Sequence, residues 1–488
     1  MSITSFASVV LVARVLGVEG AGLVAFAVWI IFTGAIVANP GAPTTLARYL
    51  PELRTIDEKS AEAFGVVVLR TAAVIAAPAM IIIFGLIVWL SGTMSPLTAG
   101  LVAMMVGLQI LSTNYSAYLK GLQQFYEMAA VTIKSSLLQL ATIVVGLFTL
   151  GLNGALLGYL AGTLLPAALA CRLLFRRVEV RRRLDSPDLR RRVFRFSSLN
   201  WGLSVISAVV WYRAELFFLK VYHGPGAVGL FSVGLTLANI ATMFPALLLG
   251  ALLPHFSQQI SRNEIEELQA TYTRFTRLVA FLVFPICFGL AAVCPVLVPL
   301  LYGTAFAPAV PSAMLVVGGA SIGVAVATNS NLLLGFERTH VLFVTNIVGM
   351  VLMLIMGVTV IPRWGIEGAA WSRVFVQIAI VSMEFCYVIF RLNIKVPIRA
   401  LSGTLLAACV CAISAYAIVR ELGGTYSLFV GVPAGAIIYV VMVRLLRVLQ
   451  SDDKERLEEL VRKLPRPLHG ALLRVAGIVI PAGRGAAP

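Results

Sequence analysis

Charge is scarce in this sequence, and so are the residue patterns that enzymes use. Charged residues make up 12% of the 488 positions and apolar residues 59%, whereas soluble domains carry about 25% charged residues. There is no G-x-x-x-x-G-K-[ST] loop, no Ser/His/Asp arrangement and no HExxH zinc motif, and the predicted external loops are too short for a catalytic domain or for a membrane sugar polymerase. These absences exclude a soluble domain and a built-in ATPase, and they predict that the protein is not an enzyme.

Histidine and cysteine are also rare, with four and six residues respectively. The histidines lie at the ends of apolar segments or in the tail, and the cysteines lie in or beside apolar segments. Neither set has the spacing of metal ligands, and no disulfide framework is indicated. We therefore expect free thiols, no metal and no cofactor.

Long apolar segments fill most of the chain, and each is close to the roughly 20 residues needed to cross a bilayer. We predict an all-α membrane protein of about 14 transmembrane helices. Thirteen predicted spans follow a partial first span at 1–16: 23–39, 64–90, 97–119, 128–150, 154–175, 197–221, 229–256, 276–302, 311–335, 340–361, 366–390, 400–420 and 426–447. The first span is too short, so we expect that the chain begins inside a helix, or else that this helix is tilted or re-entrant.

Part of the first half of the chain recurs in the second half. Residues 121–155 (GLQQF…LGLNGA) correspond to 335–369 (GFERT…WGIEGA), 214 residues later. Earlier in each half, Gly22 in EGAGLVAFA corresponds to Gly229 in GAVGLFSVG, 207 residues later. A duplicated block of membrane helices is typical of transporters, in which two similar lobes rock around a shared site. Six helices return the chain to its starting side, so the two six-helix lobes are expected to be parallel.

Lysine and arginine concentrate in the loops after even-numbered spans, above all in ten arginines from Arg172 to Arg195. The positive-inside rule places those loops and the C-terminus in the cytoplasm. The same distribution accounts for the net charge of +16 without nucleic acid. We expect the basic loop to lie on anionic membrane lipids, with RNA binding as the weaker alternative.

The predicted organisation has five parts. Two extra helices follow the two lobes, and apolar residues at helical spacing in the tail predict an amphipathic helix at the cytoplasmic interface; a solvated tail is the alternative. The parts are an N-lobe at 1–176, a basic linker at 177–196, a C-lobe at 197–393, spans 13 and 14 at 394–450, and the tail at 451–488.

Charged side chains inside or beside the spans are the candidate functional residues, because a charge at membrane depth is costly and usually faces a cavity. Span 7 carries Arg213 and Glu215 in VVWYRAELFF, and span 12 carries Arg373 and Glu384. Arg213 and Glu215 are two residues apart, so on a helix they would diverge rather than neutralise each other. The candidates for anion binding are Arg14, Arg48, Arg213 and Arg373, and those for ion coupling are Glu215 and Glu384. The alternative interpretation of Arg48 is that its positive charge only sets the membrane topology.

Two segments carry a recognisable pattern: ARVLGVEGAGL…TTLARYLPEL near the N-terminus and RAELFFLKVYHGPGAVGLFSVG at the start of the second half. Both resemble the polysaccharide flippases of the multidrug/oligosaccharidyl-lipid/polysaccharide exporter superfamily. Glu215 stands where an aspartate is usual in the family. The matching residues are Arg14, Leu16, Gly17, Gly22, Arg48 and Glu52 in the first segment, and Arg213, Gly224, Gly226, Gly229 and Leu230 in the second.

This resemblance implies two six-helix lobes around a cationic cavity and a lipid-linked oligosaccharide substrate, moved from the inner to the outer leaflet of the cytoplasmic membrane. It also implies glycosyltransferases or a polymerase of the same pathway as partners. The charged helices of lipid II flippases are not apparent, and spans 1 to 6 lack the buried acid of the drug antiporters. Two alternatives stay open: a cation-coupled small-molecule or multidrug antiporter of the same fold, and a scaffold that recruits glycosyltransferases.

Overall fold

The computed structural model describes residues 3–55, 57–90, 95–175, 187–249, 252–446 and 448, and the regular structure of these residues is helical. Contacts divide the chain, within α7, into a first unit of Met1–Gly229 and a second unit of Leu230–Pro488. The first seven helices are α1 Ile3–Val37, α2 Ala42–Arg54, α3 Glu58–Leu90, α4 Pro96–Gly121, α5 Phe125–Leu174, α6 Pro187–Trp211 and α7 Glu215–Leu249. The others are α8 Leu252–Ser261, α9 Ile265–Tyr302, a 3-10 turn Thr304–Ala309, α10 Val310–Gly335, α11 Thr339–Thr359, α12 Ile361–Arg391, α13 Ile398–Leu422 and α14 Tyr426–Leu445.

Twelve of the described helices are long and apolar enough to cross a membrane. Four of them contain a glycine in a left-handed conformation at which the helix is interrupted: Gly17 in α1, Gly151 in α5, Gly224 in α7 and Gly365 in α12. In α1 and α5 this glycine separates two predicted spans that both lie within one helix. When α1 and α5 are each counted as two spans, the twelve become fourteen. The prediction of an all-α protein with about 14 membrane helices is therefore confirmed.

Gly151 marks a hairpin corner, because the halves of α5 on either side of it pack closely against each other. A Cβ atom on Gly154 would lie 1.7 Å from the carbonyl oxygen of Gly146, and one on Gly158 would lie 2.7 Å from the backbone nitrogen of Ile143. As a glycine lies farther after residue 151, the residue that it contacts lies farther before residue 151: Gly154 contacts Gly146, and Gly158 contacts Ile143. This is the contact pattern of two antiparallel helices. Glycine is required here because any side chain would separate the two backbones.

The second half repeats this corner at the offset of 214 residues. Gly365 has φ 54° and ψ −131°, against φ 57° and ψ −125° at Gly151. A Cβ atom on Gly368, the counterpart of Gly154, would lie 2.9 Å from the carbonyl oxygen of Val360, the counterpart of Gly146. The recurrence seen in the sequence is therefore a recurrence of backbone geometry.

Helix boundaries recur at the same spacing. α4 and α10 begin at Pro96 and Val310 and end at Gly121 and Gly335, with bounds 214 residues apart at both ends. The glutamine at 123 and the glutamate at 337 that follow these helices both adopt positive φ, 60° and 57°. The two copies thus share the turn that leads into the next helix.

Two short helices were not among the predicted spans. α2 is amphipathic, because Leu46, Tyr49 and Leu50 are buried while Thr44, Arg48 and Glu52, four residues apart, are exposed. α8 follows α7 in the second half with a similar length and buries Leu252 and Phe256. α2 lies where the sequence analysis expected a cytoplasmic loop, whereas α8 begins inside the predicted span 229–256 and continues into the loop expected after it.

In the second unit, α13 and α14 pack against each other and against α9. Their shared core contains Ala407, Cys411 and Tyr439 together with Ala280 and Phe284 of α9. The Tyr439 hydroxyl donates a hydrogen bond of 2.7 Å to the carbonyl oxygen of residue 281. The two extra helices are therefore attached to the long helix α9.

The lobe boundaries stay a prediction. α6 begins at Pro187, ten residues before the predicted start of span 7, so part of the predicted linker 177–196 is helical. The rest of that linker up to residue 186, and the predicted amphipathic helix in the tail 451–488, lie outside the described residues.

Candidate functional site

Predicted span 7 is broken rather than continuous. α6 ends at Trp211, residues 212–214 form a turn, and α7 begins at Glu215. Arg213 lies in this turn with φ of 68°, a left-handed conformation that costs a residue with a side chain on the order of 1–3 kcal/mol. The prediction that Arg213 and Glu215 diverge along one helix was therefore wrong. A local backbone break leaves no trace in hydropathy when apolar residues continue on both sides.

Groups from two other helices surround this break. The Trp29 indole of α1 donates a hydrogen bond of 2.8 Å to the Tyr212 carbonyl oxygen, and Arg213 lies within electrostatic range of the Tyr159 hydroxyl of α5. Glu215 is fully buried in the first turn of α7, where the helix dipole favours a carboxylate. The break therefore places a half-buried guanidinium and a buried carboxylate two residues apart.

Arg14 and Arg48 are both exposed, but their surroundings differ. Arg14 lies in α1, three residues before the interruption at Gly17. Arg48 lies on α2, and its guanidinium carbon is 4.6 Å from the centre of the Phe196 ring of α6, a cation–π distance. Arg48 thus contacts an aromatic residue of α6.

A cavity of about 440 Å³ surrounds this contact. Besides Arg48 it is lined by three arginines, two aromatic residues and Leu199. We call its arginines and aromatic residues the arginine–aromatic box. The members of the box are Arg48, Tyr49, Arg191, Arg192, Arg195 and Phe196. The sequence analysis treated the α6 arginines as topology signals that lie on anionic lipids, and it did not predict that they share a cavity with Arg48.

The aromatic rings of the box contact each other, and its four arginines are exposed. The rings of Tyr49 and Phe196 meet edge to face at 5.6 Å, and Arg192 lies 5.5 Å over Tyr49. Arg192 also donates hydrogen bonds of 3.1 and 3.3 Å to the two carboxylate oxygens of Glu52. No carboxylate is among the described residues that line the cavity.

Two larger and mostly apolar cavities lie along α3, one against α2 and α6 and the other against α1 and α7. One of about 810 Å³ includes Arg190 and Trp201 of α6, and the other, of about 770 Å³, includes Lys220 of α7. Ile75 lines both cavities. Arg190 therefore faces a different cavity from Arg195, although both belong to α6.

In the second unit, Glu384 lies within a buried polar cluster. Glu384 is only 2% exposed, and the Ser330 hydroxyl of α10 donates to its carboxylate at 3.0 Å. One residue away on α10, Asn329 accepts a hydrogen bond of 2.6 Å from the Tyr272 hydroxyl of α9. Nothing in the sequence pairs Glu384 with Ser330, because they lie on different helices and 54 residues apart.

Arg373 and Glu384 lie on one face of α12. They are eleven residues apart, which is about three helical turns or ~16 Å along the axis. Arg373 is half-buried and Glu384 is buried. Arg373 and Glu384 therefore lie on the same face of α12 but are too far apart along its axis to form an ion pair with each other.

Solved structures with this arrangement of helices are transporters and flippases. The lipid II flippase MurJ in an inward closed conformation matches with a TM-score of 0.73 and 14% identity, over 91% of this chain and 96% of that one. An inward-facing multidrug resistance transporter of the MATE family, MOP superfamily, matches with a TM-score of 0.66 and 15% identity, over 80% and 95%. A MOP superfamily transporter from Pyrococcus furiosus matches with a TM-score of 0.53 and 14% identity, over 80% and 95%. The chain therefore has the fold of a flippase or transporter, a class that is not enzymatic.

The profile of the polysaccharide biosynthesis protein family matches residues 2–260, more than half of the sequence. The chain belongs to that family. Among curated proteins, none matches the sequence. The protein is thus a multi-pass membrane protein with a flippase and transporter fold. Its predicted resemblance to a polysaccharide family is confirmed.

Proposed function

We propose that this protein moves a polyprenyl-diphosphate-linked oligosaccharide from the inner to the outer leaflet of the cytoplasmic membrane, for synthesis of a cell-surface polysaccharide. The observation that carries the proposal is the break in span 7. The break holds the Arg213 guanidinium half-buried within an apolar segment, and a charge at membrane depth is costly and usually faces a cavity. A fixed cation between two apolar helices suits an anionic substrate.

The physical obstacle to such transport is the loss of water from the headgroup. A sugar diphosphate cannot enter hydrocarbon without losing the hydrogen bonds of its charges and hydroxyls. Arginine replaces those bonds well, because its planar fork makes paired, charge-assisted hydrogen bonds to phosphate oxygens. The polyprenyl tail meanwhile remains in the bilayer.

In this proposal Arg14, Arg48, Arg213 and Arg373 bind the headgroup in a cationic cavity, and alternating access exposes the cavity to one side and then the other. Arg213 has the strongest support, because its guanidinium is half-buried and Trp29 donates a hydrogen bond to the carbonyl oxygen of the preceding residue, Tyr212. Arg373 has the support of its half-buried position on α12.

The membrane potential supplies a driving force for this direction of transport. An anion that leaves an inside-negative cytoplasm moves downhill by about 2.3 kcal/mol per charge per 100 mV, if it crosses the full potential. Export of a diphosphate therefore needs no stoichiometric cation. Glu215 and Glu384 remain the residues that would bind a coupling proton or sodium ion if one is used.

The distribution of lysine and arginine supports a location in the cytoplasmic membrane with the C-terminus in the cytoplasm. In that orientation α2 and the start of α6 lie at the cytoplasmic side. Substrate made by glycosyltransferases on that side would meet them first, and a polymerase would receive the product on the other side.

A flipping assay tests the proposal. Purified protein is reconstituted into liposomes with a fluorescent polyprenyl-diphosphate oligosaccharide, and its arrival in the other leaflet is measured by accessibility to a quencher. We expect the double variant Arg213→Ala, Arg373→Ala to lose most transport, whereas Arg420→Ala, an exposed charge at the end of α13, retains it. Unchanged transport in a well-folded double variant would remove the cationic cavity from the proposal.

The second candidate is a cation-coupled small-molecule or multidrug antiporter. It is favoured by the buried carboxylates Glu215 and Glu384, because buried acids are suited to exchange a proton or sodium ion for a substrate. Efflux of cationic dyes from liposomes under an imposed sodium or proton gradient separates the candidates. Dye efflux without any flipping of the lipid-linked diphosphate would favour the antiporter.

A further inference from the structure

Four arginines from two helices meet at the arginine–aromatic box. Arg48 comes from α2, and Arg191, Arg192 and Arg195 come from the first turns of α6. One carboxylate, Glu52, lies beside them and binds Arg192. The arginines thus exceed the acids by three in a space of about 440 Å³.

Like charges so close together repel one another, and stacking on aromatic rings only partly compensates. Arg48 stacks on Phe196 at 4.6 Å and Arg192 on Tyr49 at 5.5 Å, contacts that contribute about 0.5–1 kcal/mol each at exposed sites. A bound anion would offset the remaining repulsion. These two guanidinium groups lie over rings that contact each other, and guanidinium groups form paired, charge-assisted hydrogen bonds to phosphate oxygens.

We propose that the arginine–aromatic box is a loading site for the diphosphate of the lipid-linked substrate, occupied before the substrate reaches Arg213. This inference rests on the proposed function, and it assigns Arg191, Arg192 and Arg195 a binding role in addition to their effect on topology. The excess of three positive charges suits a diphosphate, which carries two ionised phosphates, better than the single phosphodiester of a membrane phospholipid. In the orientation proposed above, the box faces the leaflet where such a substrate is made.

Arg190 provides a matched control. It lies on the same helix and carries the same charge, but it lines the apolar cavity of about 810 Å³ instead of the box. Arg195→Gln and Arg190→Gln therefore remove the same charge from the same stretch of α6. Any non-specific loss of anion attraction is common to both variants.

The test is binding of fluorescently labelled farnesyl diphosphate to the full chain in phosphatidylcholine nanodiscs. We expect Arg195→Gln to weaken binding about tenfold, the size typical of a lost hydrogen bond to a charged group, and Arg190→Gln to change it much less. Equal binding by Arg195→Gln and the parent protein, or equal losses in the two variants, would overturn the proposal. Monodisperse elution of both variants shows that they are folded.

Competition distinguishes the possible sources of the phosphate. Inorganic pyrophosphate is expected to displace the probe, and phosphatidylglycerol added to the nanodiscs is not. If phosphatidylglycerol displaces the probe as well as pyrophosphate does, the box is a site for bulk anionic lipid and the proposal is wrong. Flipping is measured separately, so failure of the parent protein to flip a lipid-linked diphosphate would overturn the proposed function without deciding what the box binds.

Discussion

Gly22 of α1 and Gly229 of α7 lie against each other through their backbones, and the contact is reciprocal. A Cβ atom on Gly22 would lie 1.8 Å from the carbonyl oxygen of Pro225, and one on Gly229 would lie 2.1 Å from the carbonyl oxygen of Val18. Val18 and Pro225 are themselves 207 residues apart, like the two glycines. Corresponding positions of the duplicated sequence therefore make the same contact with each other, as twofold-related surfaces do.

This contact predicts that Gly22→Ala destabilises the protein. The added methyl group meets backbone rather than a flexible side chain, so α1 and α7 must separate, at a cost of about 1–3 kcal/mol. The measurement is the thermal unfolding midpoint in detergent, followed by tryptophan fluorescence. Gly202→Ala in α6 is the control, because no atom lies within 4 Å of its Cβ position, and the gain in helix propensity should leave it neutral or slightly stabilised. Equal midpoints for the two variants would contradict the close approach.

The hairpin corners predict a graded effect at two corresponding glycines. Gly154→Ala places its Cβ 1.7 Å from a carbonyl oxygen, whereas at Gly368 the distance is 2.9 Å. We expect Gly154→Ala to lower the unfolding midpoint clearly more than Gly368→Ala does. Gly100→Ala in α4, with open space at its Cβ, serves as the reference. A larger effect at Gly368 than at Gly154 would show that the two corners do not pack as described.

Arg213→Gly is expected to abolish transport while it lowers stability less than Arg213→Ala does. Glycine adopts positive φ without strain, so this variant should be more stable than Arg213→Ala by about 1 kcal/mol. Both variants should lose flipping, because neither retains the guanidinium. If Arg213→Gly transports normally, the arginine at this turn is structural and the proposed role in binding fails.

Transport is expected to follow the membrane potential. Liposomes loaded with potassium and treated with valinomycin give an inside-negative or inside-positive potential according to the external salt. Flipping of the diphosphate out of the negative side should be faster than without a potential, since each charge contributes up to ~2.3 kcal/mol per 100 mV. Rates that are the same at both polarities would show that no net charge moves.

Glu384→Gln tests whether a buried carboxylate is needed for coupling. Glutamine has nearly the same shape and can still accept the hydrogen bond from Ser330. If export is driven by the anion alone, the flipping rate should stay within about a factor of three, a barrier change below ~0.7 kcal/mol. Loss of transport in this variant, with sodium or proton dependence in the parent protein, would instead favour coupling through Glu384.

The sequence predicted the helices well because hydropathy and glycine carry that information directly. The corners at Gly151 and Gly365 were visible as repeated glycines between apolar segments, and both are turns with nearly equal dihedral angles. The break at Arg213 was not visible, because apolar residues run through both sides of it. Local backbone strain of this kind is a property of the folded chain.

The sequence identified the charged residues of the candidate site but not the residues that contact them in the fold. An acid such as Glu384 stands out in an apolar segment, but its partner Ser330 is an ordinary residue of another helix. The box was missed for a related reason. Arg192 and Arg195 belong to a run of arginines that topology alone explains, and only packing of α6 on α2 brings them to Arg48.

The break in span 7 arose after the duplication, because the corresponding positions of the first copy show no break. At the offset of 207 residues, the positions that correspond to Arg213 and Glu215 are Phe6 and Ser8. Both lie inside the regular first half of α1, where the Ser8 hydroxyl donates to the carbonyl oxygen of Thr4 one turn earlier. One copy of an ancestral helix is intact and the other is interrupted, so the two copies acquired this difference after they separated. The asymmetry that the proposed substrate site depends on is therefore younger than the repeat that built the fold.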